Sequence, residues 1–146
     1  MAAASFTIYN IFKKLMGENG GQLASASFHA ALHSAGYTPN VADLSSTALG
    51  SRLTNTGYAQ GLLATVEWSA TGTAYKFDAD DITFSASTIM HGKILTIHMD
   101  NGAAATASWI PVCYCDLADT GATSATGIEA TQINVQFPAT GIFTMD

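Results

Sequence analysis

The stretch Leu62-Leu63-Ala64-Thr65-Val66-Glu67-Trp68-Ser69-Ala70-Thr71-Gly72-Thr73-Ala74-Tyr75-Lys76-Phe77-Asp78-Ala79-Asp80-Asp81-Ile82-Thr83-Phe84 decides the fold. Leu62 to Trp68 and Thr73 to Asp78 read as two strands flanking the turn Ser69-Ala70-Thr71-Gly72, because two β-prone runs separated by a short glycine-containing segment form a hairpin. Asp78, Asp80 and Asp81 then interrupt the pattern, since short carboxylate side chains satisfy backbone amides in turns. Ile82 to Phe84 begins a further strand. Trp68, Phe77 and Phe84, like Trp109 and Phe137 elsewhere, alternate with small polar residues, which is the pattern of a core.

The same signals continue outward. Upstream, Ser27 to Ser34 reads as a strand with Phe28, Ala30 and Leu32 on one face and His29, Ala31 and His33 on the other. Tyr37-Thr38-Pro39-Asn40 reads as a turn, residues 41 to 52 fit either a loop or a short helix, and Thr56-Gly57-Tyr58-Ala59-Gln60-Gly61 reads as a turn beneath a packed Tyr58. Downstream, Ile89 to Met99 is one apolar strand, and Asp100-Asn101-Gly102 opens the loop 103 to 108. Trp109 to Leu117 is a strand in which Pro111 marks an edge or a bulge. Residues 119 to 127 form a loop of Gly, Thr, Ser and Ala, and Thr131 to Phe137 and Gly141 to Met145 supply the last strands. One helix is predicted over residues 7 to 16, where Ile8, Ile11, Phe12 and Leu15 form an apolar stripe, with Ser5 or Thr7 as its cap and Gly17 as its stop. Lys13 and Lys14 lie near its expected C-terminus, where the dipole favours cations. The chain is therefore expected to be mainly β, a β-sandwich or jelly roll with one short N-terminal amphipathic helix. No repeat or linker divides it, so 1–146 reads as a single domain, with residues 1–5 as a flexible arm.

Charge narrows the function. Only 11% of the 146 residues are charged, against about 25% in ordinary domains. The surface must be built from Thr, Ser, Ala, Asn and Gly instead, and such a surface is weakly hydrated and readily buried against a partner. A net charge of −6 with five basic residues argues against nucleic acid and anionic membranes, both of which demand clustered Lys and Arg. No apolar run reaches the roughly 18 residues that span a bilayer, and the start lacks a secretory signal pattern, so assembly in a cytoplasm is expected.

Candidate chemistry is sparse. Asp78, Asp80 and Asp81 are the densest acidic cluster and could approach Ca²⁺, but the EF-hand spacing is missing and a turn or interface role fits better. His29 and His33 share a strand face without a third metal ligand and read as surface or interface packing. His91 and His98 read as structural residues on opposite faces of one strand. Cys113 and Cys115 read as a buried, reduced pair pointing to opposite faces, which cannot bridge each other; two cysteines are also too few for a usual zinc site. No nucleophile elbow or phosphate-cradling loop is present, so no catalytic, cofactor or metal residue is expected. Tyr37 with Asn40 and Asp43 is the best sugar-binding constellation available to a jelly-roll lectin.

Five segments in order resemble a family of small tailed-bacteriophage virion structural proteins: Phe6-Thr7-Ile8-Tyr9-Asn10-Ile11-Phe12-Lys13, Phe28-His29-Ala30-Ala31-Leu32 with the Tyr37-Thr38-Pro39-Asn40 turn, Thr56-Gly57-Tyr58, Phe77-Asp78-Ala79-Asp80-Asp81, and Phe137-Pro138-Ala139-Thr140-Gly141-Ile142. Together they run from residue 6 to near the C-terminus. Two departures stand out: the surface is less charged than in that family, and Cys115-Asp116-Leu117 replaces a late Asp-Phe-Gly. The resemblance implies a non-enzymatic virion protein, first a capsid decoration (cement) protein that binds the major capsid protein as a homo-oligomer, and second a tail or head–tail component. It brings no catalytic residues with it.

Overall fold

The computed structural model describes residues 5–19, 26–45, 49–72, 74–100, 109–117 and 127–145. In chain order these form β1 (Thr7–Ile8), α1 (Asn10–Asn19), β2 (Phe28–His33), β3 (Gly61–Leu62), β4 (Glu67–Thr71) and β5 (Ala74–Asp78). There follow β6 (Ile82–Gly92), β7 (Ile94–Met99), β8 (Ile110–Asp116), β9 (Ile128–Val135) and β10 (Phe143–Met145). The protein is mainly β and sandwich-like, with one short helix and antiparallel sheets. The strands make a five-stranded sheet ordered β1-β8-β7-β2-β3, a three-stranded sheet β10-β5-β4 and a two-stranded ribbon β6-β9.

The hairpin predicted at residues 62–78 forms, but its strands sit later than expected. β4 pairs with β5 so that Trp68 lies opposite Phe77 and Thr71 opposite Ala74, and the tight turn falls at Gly72, whose φ of +69° suits glycine. Leu62 belongs instead to β3, the outer strand beside β2.

One face of the five-stranded sheet presents Phe28, Ala30 and Leu32 from β2, Leu95, Ile97 and Met99 from β7, and Cys113 and Cys115 from β8. The ribbon covers it with Ile82, Phe84, Met90, Ile133 and Val135. The three-stranded sheet adds an aromatic block, in which Phe77 lies 5.0 Å from Phe28, 4.7 Å from Trp68 and 5.1 Å from Phe143. Phe12 of α1 stacks on Trp68. This continuous apolar layer is the main source of stability, at about 25 cal/mol for each Å² withdrawn from water.

Several expectations need correction. The helix starts at Asn10, three residues later than predicted, because Thr7 and Ile8 pair with Tyr114 and Cys113 as a strand. Tyr9 carbonyl receives the first helical bond from Lys13 N–H, and Asn10 N–H is satisfied by Val41 carbonyl, so neither Ser5 nor Thr7 caps it. Gly17 lies inside α1, and Lys14 sits four residues before Glu18, 3.8 Å from it, away from the last turn. The 89–99 run divides at Lys93: Gly92 is buried against Leu32 and Ile133, and the chain crosses there from ribbon to sheet. Cys113 and Cys115, two positions apart, share one face of β8, opposite Ile97 and Leu95; both are buried and unbridged. Pro111 does mark a bulge, lying opposite His98 where the β7–β8 register shifts. The backbone-bonded turn near Pro39 runs from Asn40 to Asp43, with the Asn40 side chain also accepting Ala42 N–H. The predicted loops 103–108 and most of 119–127, and the arm except Ser5, lie outside the described residues.

Candidate functional site

Two regions have features that the core does not use, and the ribbon is the larger. β6 and β9 alternate so that Ile82, Phe84, Ile133 and Val135 face inward and Thr83, Ser85, Gln132 and Asn134 face out. Thr83 hydroxyl donates to Asn134 Oδ1 at 2.8 Å across the strands. Where the register shifts between Ser85 and Met90, Ser87, Thr88 and Ile89 are also exposed, and Asn55 Nδ2 holds the bulge by donating to Thr88 Oγ1 and Ile89 carbonyl. Ile89 is 56% exposed. Among the described residues of β6 and β9, the ionisable side chains are His91 and Glu129, which face each other at 3.2 Å. The outer face is thus a ladder of hydroxyls and amides in which His91 and Glu129 are the ionisable side chains, in contact with each other.

The second region lies on the opposite face of the five-stranded sheet, where sequence reading placed surface packing for His29 and His33. That placement is wrong for His33. His33 and His98 are fully buried, as is Thr96 between them. Residues at alternate positions on β2 and β7 share this face: His29 lies opposite His98, Ala31 opposite Thr96 and His33 opposite Ile94. His33 Nδ1 is 2.8 Å from Gly50 carbonyl and its Nε2 is 2.8 Å from Thr96 Oγ1, which is 3.0 Å from His98 Nε2. His29 is stacked on Trp109 at 4.0 Å, and Tyr37 lies 4.6 Å from His33. Burial, only partly offset by the Gly50 bond and reinforced by Arg52, holds the His33 pKa down to about 4. Burial and the positive charge of Arg52 hold His98 at about 3. Both rings are neutral at physiological pH. Thr96 hydroxyl against His33 has the contact of a nucleophile and its base, but neither side chain has any surface for a substrate to reach.

The remaining predicted residues disperse. Asp78 accepts from Lys76 Nζ at 2.9 Å and from Ala79 N–H, Asp80 accepts from Thr65 hydroxyl at 2.6 Å, and Asp81 accepts from Phe137 N–H at 2.9 Å. Asp78 bonds locally, whereas Asp80 and Asp81 tether the distant Thr65 and Phe137. Among the described residues no group of three His, Cys, Asp or Glu side chains could hold a metal ion. Tyr37 is 6% exposed. Its hydroxyl lies 2.8 Å from that of Tyr9 and donates towards Asp43 at 3.5 Å, so the ring offers no sugar platform beside Asn40. Tyr58 is packed as predicted: it stacks on Phe84, and its oxygen accepts the Leu32 amide at 2.7 Å. The residues that sequence reading missed are Thr96, Arg52 and Gly50. The available signal was the shared spacing of His29, His33, Thr96 and His98 on strands that pair, which becomes visible only once the pairing is known.

A groove of about 640 Å³ runs between Ser5, Phe6 and Ile8 on one side and Pro138 and Thr140 to Thr144 on the other. It is far in sequence from the buried histidines, and none of its described lining residues is titratable. Among the described residues no helix is long and apolar enough to cross a membrane. Comparison with family models, curated proteins and solved structures finds no match to this chain.

Proposed function

We propose that the protein is a non-enzymatic virion structural component, a decoration protein that binds the major capsid protein and reinforces the shell as a homo-oligomer. The observation that carries this reading is the outer face of the β6–β9 ribbon. It combines Thr83, Ser85, Ser87, Thr88, Thr131, Gln132, Asn134 and Gln136 with an exposed Ile89, and its ionisable side chains are confined to the His91–Glu129 contact. Burying such a face removes little hydration, whereas covering a face of Lys and Glu would strand charges. The low overall charge and the ordered resemblance to small phage virion proteins support the same reading. A stable interface needs roughly 800 Å² from each partner. A modest contact of that kind gains strength by repetition over a shell, because each engaged copy raises the effective concentration of the next.

Copy number tests the proposal. Quantitative mass spectrometry of purified particles is expected to give hundreds of copies, in a simple ratio to the major capsid protein. About six to a few dozen copies would move the protein to the tail or neck, and absence from particles would overturn the virion reading. A second test targets the ribbon. Asn134→Lys together with Thr131→Glu places charges on the outer face without touching the core, and occupancy on particles is expected to fall at least tenfold while thermal stability stays within a few degrees.

A further inference from the structure

We propose that the buried His33–Thr96–His98 seam is an acid-operated latch that holds the segment Leu49 to Leu53 against the outer edge of β2. The argument begins with proton positions. Gly50 carbonyl can only accept, so His33 carries its proton on Nδ1 and leaves Nε2 bare. Thr96 hydroxyl fills that site with its single proton, and its oxygen then accepts from His98 Nε2–H. The wire is therefore polarised from end to end. It terminates at His98 Nδ1, a buried nitrogen with no partner among the described residues.

An added proton has no comfortable place. On His33 Nε2 it displaces the Thr96 hydroxyl, whose other acceptor is Ala31 carbonyl at 3.4 Å. On His98 Nδ1 it meets no acceptor among the described residues. Charged and titratable groups of both signs surround the seam. From the 49–53 segment comes Arg52, whose positive charge opposes protonation of both rings. From β2 comes His29, which also opposes a charge on His98 and is itself answered by Asp100 at the end of β7. From the 34–43 turn come Tyr37 and, beyond its hydroxyl, Asp43. β8 contributes the bulge at Pro111, which has no ionisable group, then Tyr114, beside Tyr9, and at its end Asp116, opposite Ile94.

The segment under this load is held in a costly conformation. Ser51 has φ of +54°, a left-handed geometry that non-glycine residues rarely adopt, and Arg52 Nε is buried without a partner among the described residues. It is kept in place by Ser34 N–H to Ser51 carbonyl at 2.9 Å, Leu53 N–H to Leu32 carbonyl at 3.0 Å, and the His33–Gly50 contact. Lifting it breaks the Gly50 bond to His33, frees Arg52 and relaxes Ser51 in one movement. Acid therefore opens this edge of β2 before the sheet itself unfolds.

Amide hydrogen exchange on the intact protein, corrected for intrinsic rates, tests the latch between pH 7 and pH 3.5. Protection of Leu53 and Ser34 is expected to fall at least tenfold across that range while Leu95 and Ile97, in the middle of the sheet, keep theirs. His98→Phe removes the titrating end of the wire and is expected to flatten the fall at Leu53. Should that variant not fold, Arg52→Met serves instead, since removing the opposing charge lets the seam accept a proton while closed and shrinks the same pH dependence. Protection at Leu53 that stays level to pH 3.5, or that falls together with Leu95 and Ile97, would overturn the proposal. So would a pH dependence unchanged in whichever variant folds.

Discussion

Replacing Tyr58 by Phe removes one oxygen atom from the protein and leaves the ring that stacks on Phe84 in place. That oxygen has a particular task. β3 is only two residues long and pairs β2 at His29 and Ala30, so the next outward amide, that of Leu32, has no strand beside it. Tyr58 hydroxyl accepts it at 2.7 Å, and the edge then continues with Leu53 N–H to Leu32 carbonyl and Ser34 N–H to Ser51 carbonyl. Leu32 is fully buried, so its amide in the variant is left without water or partner. Stranding a buried donor costs about 1–3 kcal/mol. At about 2–4 °C per kcal/mol for a domain of this size, a central loss of about 2 kcal/mol lowers Tm by roughly 4–8 °C. Chemical denaturation measures the free energy directly, with an unchanged m-value showing that the same two states are compared. A Tyr58→Phe variant within about 0.5 kcal/mol of the parent, the scale of an ordinary surface substitution, would refute the claim that this hydroxyl replaces a missing strand.

Other consequences can be measured on the same preparations. Gly127 has φ of +92°, and a Cβ there would lie 2.5 Å from Gly92 carbonyl oxygen and 2.9 Å from Lys93 Cα, so Gly127→Ala is expected to cost well over the roughly 1 kcal/mol of Gly72→Ala, whose φ is also positive but whose surroundings are open; equal losses in urea melts would contradict this. Burial pushes the Tyr58 phenol up to about 12 and Tyr37 likewise. Because these folded values lie above the unfolded one near 10, the stability they lend is complete below pH 10 and is lost as pH rises towards 12, which an alkaline titration followed by phenolate absorbance and far-ultraviolet signal together would detect. Burial raises the Cys113 thiol well above its usual range, so a thiol reagent at pH 8 is expected to leave it unmodified until denaturant is added; rapid labelling of the folded protein at Cys113 by peptide mapping would contradict the burial.

The periodicity of the chain made much of this fold legible. Phe28, Ala30 and Leu32 read correctly as one face of a strand because alternation survives wherever one face meets the core. Pro111 announced its bulge because a residue without an amide proton cannot continue a ladder. The helix start was misplaced because Ile8 fits the apolar stripe of a helix and equally the edge of a sheet. Only the distant partners Cys113 and Tyr114 decide between them. The break at Lys93 was hidden for a similar reason: Ile89 to Met99 is uniformly apolar, and the bend there depends on how closely Gly92 approaches Leu32 and Ile133. His33 was misjudged as a surface residue because burial of a polar ring depends on partners, here Gly50 and Thr96, that lie 17 and 63 residues from it.

The pairing of Thr7 with Tyr114 and Ile8 with Cys113 has a consequence for the order in which the molecule is made. β1 cannot find its place until more than a hundred later residues have been synthesised and β8 has already joined β7. β2 must likewise wait some sixty residues for β7. The hairpins β4–β5 and β7–β8 close locally and can form first. Loops of this span carry an entropic cost that is met before their contacts form, which slows folding and lengthens the time that apolar strands stand exposed. Maturation of this chain is therefore expected to be governed by the late docking of its first strand, and a nascent chain arrested before residue 113 would display Phe28, Leu32 and Ile97 to any neighbour within reach.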